Sequence, residues 1–172
     1  MIKLFTSPTF NSLDDLFLEQ LEDLYDAENR LITALPKMAD AASTPELKNA
    51  FRNHLRETEG HAEKLEQVFQ QINCKPKRET CEAMKGLIAE GEEMVKADGD
   101  PAVKDAALIA AAQRVEHYEI AGYGTARSFA QRLGHSSAAQ ILQGILDEEK
   151  AADQKLNRIA EQTVNVKAQF AQ

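Results

Sequence analysis

Tryptophan is absent, aromatic residues make up 6% of the chain, and there are eight glycines, five prolines and two cysteines in 172 residues. Sparse glycine, and no runs of β-branched residues, leave little material for hairpins and sheets. The two thiols, Cys74 and Cys81, are too few for a disulfide framework, and no second cysteine pair completes a four-thiolate zinc site. They read as free thiols of a reducing cytoplasm. No apolar stretch approaches the ~20 residues that span a bilayer; the longest runs from Ala106 to Ala112. The opening MIKLFTSPTFNSLDDLF carries acids where a signal peptide has its apolar core, so neither targeting nor a membrane is expected. Basic residues are the minority: 20 Lys and Arg against 28 Asp and Glu give a net charge of −8. That balance disfavours nucleic acid and anionic membrane surfaces as partners. It is compatible with cation binding.

What is present favours helix. Alanine, leucine, glutamate, glutamine and lysine dominate. Ser12 with Asp15 makes a capping box for a first helix over about 12–42, interrupted by Pro36, which should kink it. Thr44 and Pro45 are N-cap and first-turn signals for a helix over about 45–72. After a basic, proline-containing break comes a shorter amphipathic helix over about 79–97. Asp100 and Pro101 repeat the start signal for a helix over about 101–133, stopped by Gly134. Ser137 with Gln140 is expected to cap the last, over about 137–162, and the final ten residues to fray or dock. Short turns make the first two long helices one antiparallel hairpin and the last two another. The expected fold is all-α, a single domain over 1–172: a four-helix bundle of two hairpins with the shorter helix in the crossover between them.

The apolar stripes contain acids. In the first helix the stripe runs Phe17, Leu21, Leu24, Glu28, Leu31, Leu35, Met38. In 101–133 it runs Ile109, Ala112, Glu116, Glu119, Tyr123, Ala126, Ala130, Leu133. In 137–162 Glu149 interrupts Leu142, Ile145, Ala152, Leu156 and Ile159, with Asp153 one turn on. The second helix has an apolar stripe of Phe51, Leu55, Thr58, Ala62, Leu65 and Phe69, beside which His54, Glu57 and His61 form a polar one. One such glutamate would ordinarily sit at a stripe's edge. Four helices each carrying one is different, because a buried ionised carboxylate is costly unless it is paired or bound to a cation. The heights agree as well. Glu28 and Glu57 are 57 − 28 = 29 residues apart across the first hairpin, and Glu119 and Glu149 are 149 − 119 = 30 apart across the second. A bundle core that gathers these groups can hold two bridged divalent ions. Oxygen donors with an imidazole suit iron or manganese, and zinc is compatible.

The segments LEDLYDAENRLITALPKMADAA, HLRETEGHAEKLEQVF, CEAMKGLIAEG, DAALIAAAQRVEHYEIAGYGTA and ILDEEKAADQKLNRIA resemble the ferritin-like superfamily, specifically the YciF/YciE family of bacterial stress proteins, similar in fold to rubrerythrins. The resemblance covers nearly the whole chain. It implies Glu28 as the first helix's ligand, Glu57 as a bridging carboxylate with His61 as imidazole, and Glu119 with Glu116 as an extra carboxylate. Glu149 takes the second bridge, with Asp153 where an imidazole often stands. The chain departs from the superfamily's Glu-x-x-His spacing and has one imidazole fewer. His54 is the alternative ligand. Tyr123 and Tyr25 are candidates to line the site or simply to pack in the core. His117 is expected on the surface, and His135 at a helix C-terminus. A small homodimer is implied.

Two functions compete at this level. The first is a dimetal protein handling peroxide or oxygen, fed by an external electron donor because no rubredoxin-like module is present. The alternative is a non-enzymatic stress or interaction protein with a structural or vestigial metal site.

Overall fold

The computed structural model describes residues 9–171; the first eight residues of the stretch read for targeting lie outside them. Six α-helices follow in order: α1 Leu13–Ala41, α2 Pro45–Gln71, α3 Glu82–Lys96, α4 Pro101–Arg132, α5 Ser136–Ile159 and α6 Asn165–Ala168, with a π-helical turn, Ala160–Val164, between the last two. No strand is present among the described residues.

The start of α1 is the expected capping box, with both reciprocal bonds made. Pro36 is exposed on the outer face and α1 continues through it. Thr44 occupies the N-cap of α2 without a side-chain bond. The cap comes from elsewhere: buried Asp105 of α4 accepts from the Ser43 and Thr44 amides at 2.7 and 2.9 Å. A carboxylate at a helix N-terminus suits the helix dipole, and this one ties the α1–α2 turn to α4. Asp100 caps α4 as expected, and Gly134, at φ 82°, ends the α4–α5 turn in the left-handed region.

Two expectations are corrected. Helix α5 begins at Ser136 with His135 in the N-cap position, so Ser137 and Gln140 are not its cap. His135 lies at the end of α4, as expected, where its amide donates to the Ala130 carbonyl at 2.9 Å, and its ring stacks on Phe17 with centroids 6.0 Å apart. Helix α3 begins at Glu82, not near 79, because the Asp26 carboxylate accepts from the Cys81 amide and holds that segment extended. Of the two outcomes expected for the tail, fraying or docking, it docks through its first turn. The π turn buries Ala160 and Val164 beside Leu156 and Ile159, against Leu108 of α4. Both cysteines are free thiols, Cys81 buried and Cys74 half-buried.

The crossover sets the topology. It leaves α2 beside the lower part of α1, where Arg78 pairs with Asp26. It runs up α1, where Lys37 pairs with Glu92, and ends where Ser43 meets Asp105. Helix α4 therefore starts at the same end as α2 and runs antiparallel to α1. Contacts follow as α1 with α2 and α4, α5 with α4 and α2, and α3 over α1 and α4. Every residue of the α1 stripe is buried, Glu28 included. Two apolar clusters, one around Leu35, Phe51 and Leu108 and the other around Leu24, Phe69 and Leu142, close the bundle above and below the level of the acids. No described helix is long and apolar enough to cross a membrane.

Candidate metal centre

Between those apolar clusters lie Glu28 of α1, His54 and His61 of α2, Glu116 and Glu119 of α4, and Glu149 of α5. Each is buried; His54 is the most exposed, at 6%. They form two groups with one shared member. His54, Glu116, Glu119 and Glu149 bring ligand atoms within 4.8 Å of one another, as do Glu28, His61 and Glu149.

Glu149 is the hinge of the arrangement. Its Oε1 lies 2.8 Å from His61 Nδ1, and its Oε2 lies 3.7 Å from His54 Nε2. His61 Nδ1 is also 3.4 Å from Glu28 Oε1, and His54 Nε2 is 3.3 Å from Glu116 Oε1. None of these approaches is aimed as a hydrogen bond. Of eleven buried side-chain N and O atoms without a hydrogen-bond partner among the described residues, eight belong to these six side chains. They include both oxygens of Glu119 and both of Glu149. Buried polar atoms are almost always satisfied. Eight orphans converging on one place call for a ligand that accepts lone pairs.

The outer nitrogens of the two imidazoles are held by carboxylates. His61 Nε2 is 2.7 Å from Glu148 Oε2, and Lys64 Nζ is 2.6 Å from the same oxygen. His54 Nδ1 is 3.3 Å from Glu57 Oε2. A carboxylate accepting from one ring N–H fixes the tautomer and turns the other nitrogen's lone pair inward, the usual support of a metal-binding histidine. Tyr123 of α4, fully buried, donates its hydroxyl to Glu28 Oε1.

The electrostatics fit the same picture. Burial pushes the Glu119 carboxyl well above its usual range, and the neighbouring charges of Glu149, Glu28 and Glu116 push it further. Burial does the same to Glu116, against the opposing charge of His54, and raises Glu28 against the opposing pull of His61. Burial would also raise Glu149, but His61 and His54 outweigh it and hold that carboxyl below the usual range. Burial pulls the imidazoles down, yet the carboxylates around them prevail. His54 is raised to about 9, chiefly by Glu116 and Glu57, and His61 to about 10, chiefly by Glu149 and Glu28. Glu28, Glu116, Glu119, His54 and His61 are thus all shifted toward their protonated forms, and Glu149 toward its ionised one.

Two residues expected in the site stand outside it. Glu57 has a half-exposed side chain and serves His54 from outside. At ~100° per residue it falls well off the middle of the buried face that passes through His54, Thr58, His61 and Leu65. Asp153, 15% exposed, accepts from Gln113 Nε2 at 3.1 Å and Asn157 Nδ2 at 3.2 Å and faces the surface beside His117. Its side chain, one methylene shorter than glutamate, is spent on that network. Tyr25 donates to Glu66 at 2.6 Å, away from the centre. His117 is exposed, as expected.

The second imidazole is therefore His54, on the same helix as His61, and both lie in the buried face rather than on a separate polar stripe. Thr58, three residues before His61, stands where Glu-x-x-His would place its glutamate. Glu148 was missed by sequence reasoning. Nothing local marks it, since its role depends on Lys64 and His61, 84 and 87 residues away.

The comparisons agree with this architecture. A family model described as "Domain of unknown function (DUF892)" matches residues 12–169. Protein YciF of Escherichia coli (strain K12) is 48% identical over 159 residues, 92% of this chain and 96% of that protein. The crystal structure of the E. coli stress protein YciF matches with TM-score 0.88 at 47% identity, covering 91% of this chain and 99% of that one. YcfI from Rhodopseudomonas palustris matches with TM-score 0.85 at 44% identity, covering 89% and 98%. A Xanthomonas campestris protein, 21% identical with TM-score 0.72, shares the fold. With the match running from the cap of α1 through the docked tail, the chain belongs to the DUF892 family, alongside the stress protein YciF.

Proposed function

We propose that the protein binds two divalent metal ions, iron or manganese, between its four long helices, and that it acts there on peroxide or oxygen as part of a stress response. The observation that supports this most is the convergence of eight unpartnered buried donor atoms on Glu149. The donor set fits. Four carboxylates and two imidazoles are the composition found in carboxylate-bridged dimetal bundles, although here both imidazoles come from α2. Four ionised carboxylates also cancel the charge of two divalent ions, which removes the need for buried protons. Redox-active ions in such a place supply electron transfer to small oxygen species.

The chain's own residues would do the following. Glu149 offers one oxygen to each side. His54 and His61 present inward lone pairs, kept in direction by Glu57 and Glu148. Glu28 belongs to the His61 side and is oriented by the Tyr123 hydroxyl, which holds a proton at the floor of the site. Glu116 and Glu119 complete the His54 side. The apolar clusters close the site above and below. The described chain has no four-cysteine electron-transfer module, so reducing equivalents would come from another molecule. A cytoplasmic homodimer belongs to the same proposal, and the two free thiols accord with a reducing compartment.

Elemental analysis after growth with added iron or manganese tests the reading, with peroxide consumption measured on the same sample. Two ions per chain, lost in Glu149→Ala, is the expected result. Absence of either metal at stoichiometric level would overturn the proposal, and two ions without turnover would leave a structural centre.

A further inference from the structure

The two sides of the centre do not see the outside equally. A cavity of about 240 Å³ opens between α2 and α5 and reaches His54 and Glu116. One water needs roughly 10–15 Å³ of such space, so a molecule of several heavy atoms fits. Glu28, His61 and Tyr123 do not line it, and all three are fully enclosed. Its apolar lining comes from Ala50 and Phe51 of α2 and from Ala151, Ala152 and Leu156 of α5. The small residues of α5 are what keep it open.

The rim carries charge of both signs. Glu57 is matched by His54, and Glu148 by Lys64 and His61. Lys155 and Arg158 also line the cavity; neither makes an ion pair within 4.0 Å among the described residues, and the charge of Lys155 is felt at Glu57. In a chain of net charge −8, two cations with no direct ion pair, beside a cavity that leads to buried donor atoms, form a local attraction for an anion.

We propose that this cavity is the binding site of a small monoanion, of the size of azide or hydroperoxide, and that it serves only the His54 side of the centre. The proposal rests on the dimetal reading above and deepens it. The His54 side is the side that exchanges ligands, and Lys155 draws them in. The Glu28–His61 side is closed and does not.

The test uses full-length protein loaded with cobalt(II), metal content by elemental analysis, and sodium azide followed by visible absorption. Wild type should show a saturable band shift. Ala152→Phe should bind the same metal but lose azide affinity at least tenfold, because the ring occupies the cavity. Ala151→Phe, at a more exposed position, gives the same reading if the first variant folds poorly. Lys155→Glu should weaken azide several-fold and Lys155→Arg should restore it. Unchanged azide affinity in both phenylalanine variants would overturn the proposal, as would metal-loaded wild type with no azide shift. Failure to load cobalt at all is read separately by the elemental analysis; it strikes the dimetal reading and this inference with it.

Discussion

Replacing Glu119 by methionine should make the metal-free protein more stable while damaging its capacity for metal. Glu119 is fully buried in α4, and neither of its oxygens has a hydrogen-bond partner among the described residues. A buried polar atom left unsatisfied costs about 1–3 kcal/mol. Exchanging a buried ionic group for an apolar one of similar size is typically neutral or stabilising by ~1–4 kcal/mol. A net gain of roughly 2 kcal/mol is therefore expected in chelator. For a domain of this size 1 kcal/mol moves the midpoint by ~2–4 °C, so the rise should be about 4–8 °C. The assay is thermal unfolding by circular dichroism, with chelator and then with excess manganese. Manganese should raise the wild-type midpoint, because a ligand present at 100 times its Kd adds ~2.7 kcal/mol. It should raise the variant much less, so that the order of stabilities reverses between the two conditions. A variant less stable than wild type in chelator would refute the reasoning, for it would mean that the Glu119 carboxyl is structurally paired.

The remaining expectations follow from other parts of the structure. Glu57→Gln and Glu148→Gln should each weaken metal binding by about 10–100-fold, since they loosen His54 and His61 without removing a donor; Asp153→Ala should leave metal binding unchanged in the same equilibrium titration. In chelator, stability should fall as pH rises. His54 and His61 hold protons more tightly folded, at about 9 and about 10, than at the ordinary 6.5. Their contribution is complete below about 6.5 and is lost as pH passes through those folded values, and the raised carboxyls of Glu116 and Glu119 act in the same direction. A melting midpoint that climbs from pH 6 to pH 10 in chelator would contradict this. Gly122→Ala should destabilise by about 1–3 kcal/mol through overpacking, because its new Cβ would lie 2.8 Å from Cδ2 of buried Leu24; an unchanged midpoint would show that Leu24 can yield.

The α1 stripe was legible in full. Its 4-3-4-3 spacing names seven residues that all prove buried, and Glu28 among them is in the centre. Glu116, Glu119 and Glu149 were legible for the same reason: each interrupts a run that nothing else explains. Helix α2 was harder. It packs against both α1 and α5, so its buried face covers two neighbouring stripes, one through Phe51, Thr58 and Leu65 and one through His54, His61 and Val68. Reading only the first left the histidines beside Glu57 on a polar strip. Spacing alone could not show that Glu57 would be turned outward to hold His54.

Asp153 was misplaced for a different reason. Its position along α5 is compatible with the core, and only the side chains of Gln113 and Asn157 show that it is engaged elsewhere. The docked tail was beyond periodicity too, because the π turn at Ala160–Val164 shifts the phase of the helix by a residue. What sequence lacked in each case was the lateral register of neighbouring helices, which decides which edge of a stripe is covered.

The central claim is that Glu149 lies between two metal positions. Crystals grown with manganese, measured on both sides of the metal's absorption edge, test it directly. Two anomalous peaks are predicted, one among His54, Glu116, Glu119 and Glu149 and one among Glu28, His61 and Glu149. No peak between the helices, or a metal held instead by Glu57 or Asp153, would contradict the account.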